Sequence, residues 1–142
     1  MIIRNSKIED FPDILSLFGQ LWPNKELHPN DLMTVFNRGI QSEKDIYICA
    51  EEDGKVIGFC ALSIINNFWK EGYIAYVYAM IVDDSFRGKG IGTSLLRKAF
   101  EVVTLLGCKK IELDSGFHRE TAHKFYEKIG FEKRAYLFSK DL

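Results

Sequence analysis

Val82-Asp83-Asp84-Ser85-Phe86-Arg87-Gly88-Lys89-Gly90-Ile91-Gly92-Thr93 places glycine at alternate positions in the middle of this chain. Ahead of it runs an apolar, β-rich segment, Ile74-Ala75-Tyr76-Val77-Tyr78-Ala79-Met80-Ile81-Val82. Behind it, Ile91, Leu95, Leu96, Ala99, Phe100, Val103 and Leu106 follow one helical face, and Gly107 ends the pattern. Strand, glycine-rich turn and helix start together make an anion site. The first amides of a helix have no intrahelical acceptor and carry partial positive charge. Gly88, Gly90 and Gly92 let the backbone approach a phosphate closely, and a row of such amides suits two phosphates in sequence. Arg87 and Lys89 add fixed positive charge at the rim.

Spacing separates the competing phosphate loops. A dinucleotide fingerprint, Gly-x-Gly-x-x-Gly, would need its third glycine at Thr93 or at Leu95. A Walker loop, Gly-x-x-x-x-Gly-Lys-Ser/Thr, is not supplied by Gly88-Lys89-Gly90. What remains is Arg-x-x-Gly-x-Gly, from Arg87 to Gly92. A solvated capping turn is the plainer alternative, but capping glycines belong at helix C-termini and these stand at a helix start.

Arg87-Gly88-Lys89-Gly90-Ile91-Gly92 resembles the acyl-CoA pyrophosphate loop of the GCN5-related N-acetyltransferases. Ala122-His123-Lys124-Phe125-Tyr126-Glu127-Lys128-Ile129-Gly130-Phe131 is similar to that family's second signature, a helix bearing Phe-Tyr and ending in Gly-Phe. The two motifs lie in the family's order, and the resemblance covers nearly the whole chain.

Composition narrows the classes. A chain of 142 residues fits a single domain, residues 1–142, with a real core. A formal net charge of −1 and the lack of a polybasic tract argue against nucleic-acid and membrane-surface binding. No apolar run approaches the roughly 20 residues that span a bilayer. Met1-Ile2-Ile3-Arg4-Asn5 lacks the architecture of a signal peptide. Cys49, Cys60 and Cys108 are scattered through apolar segments and read as buried free thiols, so a reducing compartment, the cytoplasm, is expected.

Taken in order, Ile2-Ile3-Arg4 is a short strand, and Ser6-Lys7-Ile8-Glu9 reads as a capping box for a helix over Lys7 to Trp22. A second helix begins at His28-Pro29, with Leu32, Val35, Phe36 and Ile40 as its stripe. Asp45 to Glu51 and Lys55 to Ile65 are strands joined by an Asp53-Gly54 hairpin turn, and Tyr73 to Val82 is the third consecutive antiparallel strand. Lys109 to Asp114 is a strand reached by a crossover, Glu120 to Ile129 a helix, and Phe131 to Ser139 a last alternating strand. The fold class is α/β, β-α-α-β-β-β-α-β-α-β, a mixed, mostly antiparallel sheet flanked by helices. The acyl-CoA N-acyltransferase fold implied by the resemblance has this order.

The resemblance implies acetyl-CoA as co-substrate, its diphosphate on the amides from Gly88 to Thr93 (Lys89 and Ile91 included) and its pantetheine arm along Met80, Ile81 and Val82. It implies an oxyanion held by a main-chain amide near Met80, and Tyr126 as the acid that protonates the leaving thiolate. Tyr126 also has a simpler reading, as a tyrosine packed on the core. The chain departs from the family at the base. Many members carry glutamate on the fourth strand about where Tyr78 stands, with an acidic neighbour, and here the positions are Tyr78 and Ala79. Glu71, Asp114 and His118, or water relayed through Tyr76 or Tyr78, are the candidates, and each has a structural reading as well. No Gly-x-Ser-x-Gly and no metal-ligand spacing is present, so neither a serine nucleophile nor a metal is expected.

Trp22, Tyr76, Tyr78 and His118 are candidate acceptor contacts, and aromatics with carboxylates suit a cationic amine. The C-terminal half looks most like small-molecule amine acetyltransferases, among them aminoglycoside- and aminoalkylphosphonate-acetylating members. The expected activity is therefore N-acetylation of a small primary amine by direct attack. Protein N-terminal or lysine acetylation, and a non-catalytic CoA-binding regulatory module, are the alternatives. Look-alikes commonly pair a sheet edge into a homodimer.

Overall fold

A computed structural model describes residues Met1–Leu142. The chain forms two compact units, Met1–Glu112 and Leu113–Leu142.

The first unit contains β1 (Ile2–Asn5), a 3-10 turn (Ile8–Asp10), α1 (Phe11–Leu21), α2 (Pro29–Gln41), β2 (Asp45–Glu52), β3 (Lys55–Asn67), β4 (Gly72–Val82), a second 3-10 turn (Asp84–Phe86) and α3 (Ile91–Leu105). β5 (Ile111–Leu113) follows where the first unit ends. The sheet order is β1-β2-β3-β4-β5. Three successive antiparallel ladders join β1 to β4. Lys109 N–H donates to Tyr73 C=O and Ala75 N–H to Lys110 C=O, each at 2.9 Å. These bonds advance in the same direction along both segments, so the crossover through α3 delivers a parallel neighbour and the sheet is mixed, as the sequence implied.

Local chemistry explains the elements. Asp53 and Gly54 both take positive φ, 50° and 78°, as a tight hairpin between twisted strands requires. β3 is buried without interruption from Val56 to Leu62 because helices cover both its faces. On one face Phe11, Ile14, Leu17, Phe18 and Phe36 from α1 and α2 pack on Tyr47, Cys49, Phe59, Ala61, Ala79 and Ile81. On the other face α3 lies against Gly58, where an added Cβ would sit 3.0 Å from Leu95 Cδ1 and 3.4 Å from Ile91 Cγ2. That close approach fixes the start of α3 beside the end of β4.

Two expectations fail. The Ser6 hydroxyl is buried, takes no helix amide and does not cap the first helix. The carboxylate of Asp10 instead reaches back to the entry of a 3-10 turn, where it accepts Lys7 N–H at 2.7 Å, and it pairs with Arg4 Nη1 and Nη2 at 2.8 and 2.9 Å. The Lys7 bond closes the 3-10 turn Ile8–Asp10 ahead of α1, one residue later than the sequence pattern placed the helix start, and no side chain caps the α1 amides themselves. The last strand, expected over 131–139, is also not formed, and Tyr136, Leu137 and Phe138 are 76, 68 and 92 % exposed. Alternation tells which residues would share a face, but a strand exists only where a neighbour completes its ladder.

The second unit carries α4 (Glu120–Lys128), closed by Gly130 at φ 107°. The Tyr126 ring lies 5.3 Å from that of Phe125 and meets Phe131 edge-on at 5.8 Å. Phe131 N–H donates back to Tyr126 C=O at 3.0 Å, so the Phe-Tyr and Gly-Phe ends of the signature hold each other.

Candidate active site

The glycine loop has the conformation its composition requires. Gly88 and Gly90 sit at φ 76° and 79°, where a side chain would strain the backbone, and nothing lies within 4 Å of a Cβ built on either. Gly90 is the residue before α3, and its carbonyl accepts the first intrahelical bond, from Ser94 N–H at 3.0 Å. The amides of Ile91, Gly92 and Thr93 therefore lack an i−4 acceptor. Arg87 braces the loop from within: its Nε donates to the Val82 carbonyl at 3.1 Å and its guanidinium pairs with Asp84 at 2.8 Å. Asp83 accepts from Ser85 N–H and from Gln20 of α1, whose own carbonyl takes Asp84 N–H at 2.9 Å. Those hydrogen bonds hold the Asp83 carboxyl below the usual carboxylate range. Lys89 stands over the Phe86 ring at 5.0 Å and, with Lys55, lines a cavity of about 720 Å³ next to the loop. Glu52 and Asp53 in the same lining balance the two lysines, so what favours an anion at the loop is the helix start itself.

β4 departs from a regular strand at one place. Ala61 pairs with Ala79 and Leu62 with Val77, so Tyr78 is an extra residue opposite none. A bulge reverses side-chain parity. Downstream, Ala79 and Ile81 belong to the α1/α2 face. Upstream, Tyr76 pairs with Ser63 and thereby shares the face of Ala61, the same α1/α2 face. In an unbroken strand Tyr76 and Tyr78 would have pointed toward α3.

The bulge carries the Tyr78 phenol to two residues of β2. It donates to Asp45 Oδ1 at 2.5 Å and lies 2.9 Å from the Tyr47 hydroxyl. Each phenol has one proton and the carboxylate accepts only, so Tyr47 donates to Tyr78 and Tyr78 to Asp45. Burial, with Asp45 and Tyr47 alongside, pushes the Tyr78 phenol far above its usual range. Burial also raises Tyr47, which stacks on Phe36 of α2. The chain of hydroxyls passes under Gly39 of α2, where a Cβ would fall 1.9 Å from the Tyr47 oxygen. Only glycine leaves room for that phenol.

The structure brings together only some of the residues singled out from sequence. Tyr76, Tyr78, Met80, Ile81 and Val82 lie in order along β4, and the glycine loop continues directly from it. β5, three residues long and bonded near Tyr73 and Ala75, does not extend to Met80. Glu71 stands at the β3–β4 turn with φ 54°, exposed, roughly 20 Å along the strand from Tyr78. Trp22 and His28 line a groove of about 190 Å³ with Leu27, Asp31 and Val35. Asp114, His118 and Tyr126 belong to the second unit, where Asp114 and His118 are exposed and Tyr126 is half-buried. Asp45, Tyr47 and Gly39 were not singled out from the sequence. The i, i+2 spacing of Asp45 and Tyr47 does show that they share a face, but no local signal announces the bulge that joins them to Tyr78.

Comparison with known proteins identifies the lineage. The model of the acetyltransferase (GNAT) family matches residues 11–131. The chain belongs to that family. It is 30 % identical over 138 residues to an uncharacterised N-acetyltransferase of Methanocaldococcus jannaschii, covering 93 % of this chain but only 61 % of the relative's length. It is 26 % identical over 140 residues to the aminoalkylphosphonate N-acetyltransferase of Salmonella typhimurium, covering 99 % of this chain and 90 % of that one. Among solved structures, an acetyltransferase of Trypanosoma brucei superposes with a TM-score of 0.80 at 27 % identity, over 99 % of both chains. The family match extends over both glycine-bearing signatures, so the motifs and the fold agree on the same ancestry.

Proposed function

We propose that this GNAT protein transfers the acetyl group of acetyl-CoA to a small primary amine, an aminoalkylphosphonate being the first class to test. The observation that carries the reading is the start of α3: two positive-φ glycines, open space above them, and amides without intrahelical acceptors. These residues fit a diphosphate, since such amides bind one without any side chain. The amides from Gly88 to Thr93 would hold it, with Lys89 at the rim. Met80 to Val82 would take the extended arm by main-chain pairing. The Tyr78 bulge on the same strand supports an amide turned out of the ladder for the developing oxyanion, a contribution worth roughly 10²–10³ in rate. Tyr126 would return a proton to the leaving thiolate. The Salmonella relative's substrate class motivates the choice of acceptor.

Calorimetry with acetyl-CoA tests the donor site. Gly90→Glu sets bulk, strain and negative charge against a diphosphate and should abolish measurable affinity. Gly90→Ala adds only strain, since no atom lies near its Cβ, and should weaken binding less. Unchanged affinity in Gly90→Glu would remove the diphosphate from this loop. Thiol release with a panel of amines tests the transfer. Tight acetyl-CoA binding without turnover on any amine would make the chain a CoA-binding module instead.

A further inference from the structure

An amine reaching this enzyme arrives protonated, since an alkylamine with pKa near ~10.4 is only about one part in 10³ neutral at pH 7. It must lose a proton before it can attack. Where the resemblance implies that many members carry a fourth-strand glutamate, this chain has Tyr78 and Ala79, and Glu71 is remote from both. Resting on the acetyl-transfer reading above, we propose that the amine surrenders its proton through the Tyr78 hydroxyl to Asp45, a carboxylate from a strand two places away in the sheet.

The geometry supports each link. The bulge turns Tyr78 onto the face that carries Asp45, and the phenol–carboxylate bond is short at 2.5 Å. Tyr47 donates to Tyr78 from the other side, and Gly39 makes room for it to do so. With its proton aimed at Asp45 and one acceptor site used by Tyr47, the Tyr78 oxygen keeps one acceptor site. Tyr78 is 37 % exposed, so a solute can reach it. Met80, the residue expected to sit nearest the oxyanion, is two positions along the same strand, roughly 7 Å away.

In the step itself the ammonium N–H donates to the Tyr78 oxygen. That proton passes to Tyr78 as the phenol's own proton passes to Asp45. Tyr78 is a neutral phenol before and after, so no phenolate forms, which matters for a phenol so hard to ionise. The freed nitrogen lone pair forms the C–N bond at the thioester carbonyl. The C–S bond breaks with its electron pair on sulfur, Tyr126 gives the thiolate its proton, and the nitrogen's second surplus proton restores Tyr126. Asp45 then returns its proton to water. One ammonium and one thioester give one amide, one thiol and one proton.

The test uses the full chain with 2-aminoethylphosphonate, glucosamine 6-phosphate, ethylamine and 2,2,2-trifluoroethylamine as acceptors, read by thiol release. Asp45→Asn keeps an acceptor for the Tyr78 hydroxyl but takes no proton, and Tyr78→Phe removes the relay. Each should lower kcat on basic amines by about 10²-fold, with acetyl-CoA affinity unchanged in calorimetry. The double variant should be no slower than the slower single, because the two act as one unit. The deficit should shrink with falling acceptor basicity and be least for trifluoroethylamine, which is already largely uncharged at neutral pH. A merely structural role would depress all acceptors alike. Wild-type turnover in Asp45→Asn on any basic amine, or a deficit independent of basicity, overturns the relay and leaves acetyl transfer standing. A wild-type enzyme that binds acetyl-CoA but acetylates none of the four overturns both.

Discussion

Gly39→Ala is the substitution on which the packing of the proposed site can be judged most sharply. Alanine is ordinarily the better helix former, by about 0.5–1 kcal/mol. Here the new Cβ would fall 1.9 Å from the Tyr47 oxygen, 2.3 Å from Cζ and 2.7 Å from Cε2. Ordinary carbon contacts begin near ~3.5 Å, so the phenol must retreat by roughly 1.5 Å. It has nowhere to go. Tyr47 is 7 % exposed, stacked on Phe36 at 5.3 Å and edge-on to Phe59 at 5.5 Å. Overpacking of this kind costs about 1–3 kcal/mol, and the helix gain offsets only part of it. A net loss of about 1–2 kcal/mol corresponds to a Tm lower by roughly 3–8 °C for a chain of this size. Gly19→Ala is the control: it lies in α1 with nothing within 4 Å of a Cβ, and should leave Tm unchanged or raise it. Thermal unfolding followed by circular dichroism compares the two. If Gly39→Ala is as stable as Gly19→Ala, the close passage of Tyr47 beneath α2 is wrong, and with it the support for the Tyr47–Tyr78 hydrogen bond.

Two further outcomes follow from the same geometry. Tyr126→Phe should lower the maximal rate more than it changes amine binding, and equal effects on both would count against an acid role. The Arg4 guanidinium, with the Lys7 amide, holds Asp10 below the usual carboxylate range, so folding favours its ionised form. That stabilisation is present above the unfolded pKa of about 3.9 and is lost as pH falls through the lower folded value. Asp10→Asn should therefore cost about 1–2 kcal/mol at neutral pH, screened as partly exposed pairs are. The gap should close toward strongly acid pH in urea titrations, and a gap that persists there would mean Asp10 acts by shape alone.

The parts of this molecule that were legible in the sequence are those where one residue type has one physical use. Asp53-Gly54 needed positive φ at both positions and has it. Gly88 and Gly90 before an amphipathic run read as a tight turn into a helix, and both take positive φ just ahead of α3. Where two residues compete for one task, sequence was a poor guide. Ser6 and Asp10 can both bond the amides where the first helical turn begins, and the bond observed is Lys7 N–H to Asp10, whose carboxylate Arg4 fixes from outside the motif. The alternation over 131–139 has the same weakness, since it describes the strand's faces and says nothing of its neighbour.

The bulge at Tyr78 is the deepest of these cases, because it makes a correct reading of local pattern yield the wrong face. Alternation along β4 counts Tyr76 and Tyr78 on one side and Ala79 and Ile81 on the other. Once Ala79 and Ile81 are seated under α1 and α2, an unbroken strand would commit both tyrosines to the α3 side. One extra residue, between the Leu62–Val77 and Ala61–Ala79 pairs, cancels that commitment. The apolar core downstream and the phenols upstream then share a face, and Asp45 on β2 comes within 2.5 Å of a hydroxyl that strand parity alone would have turned away from it. The same irregularity interrupts the ladder beside Met80, where the resemblance puts the oxyanion donor. On the proposed relay, one irregularity would serve proton removal and charge stabilisation at once, and a carboxylate need not stand on β4 itself: the strand supplies the bend, and β2, two places away, supplies the charge.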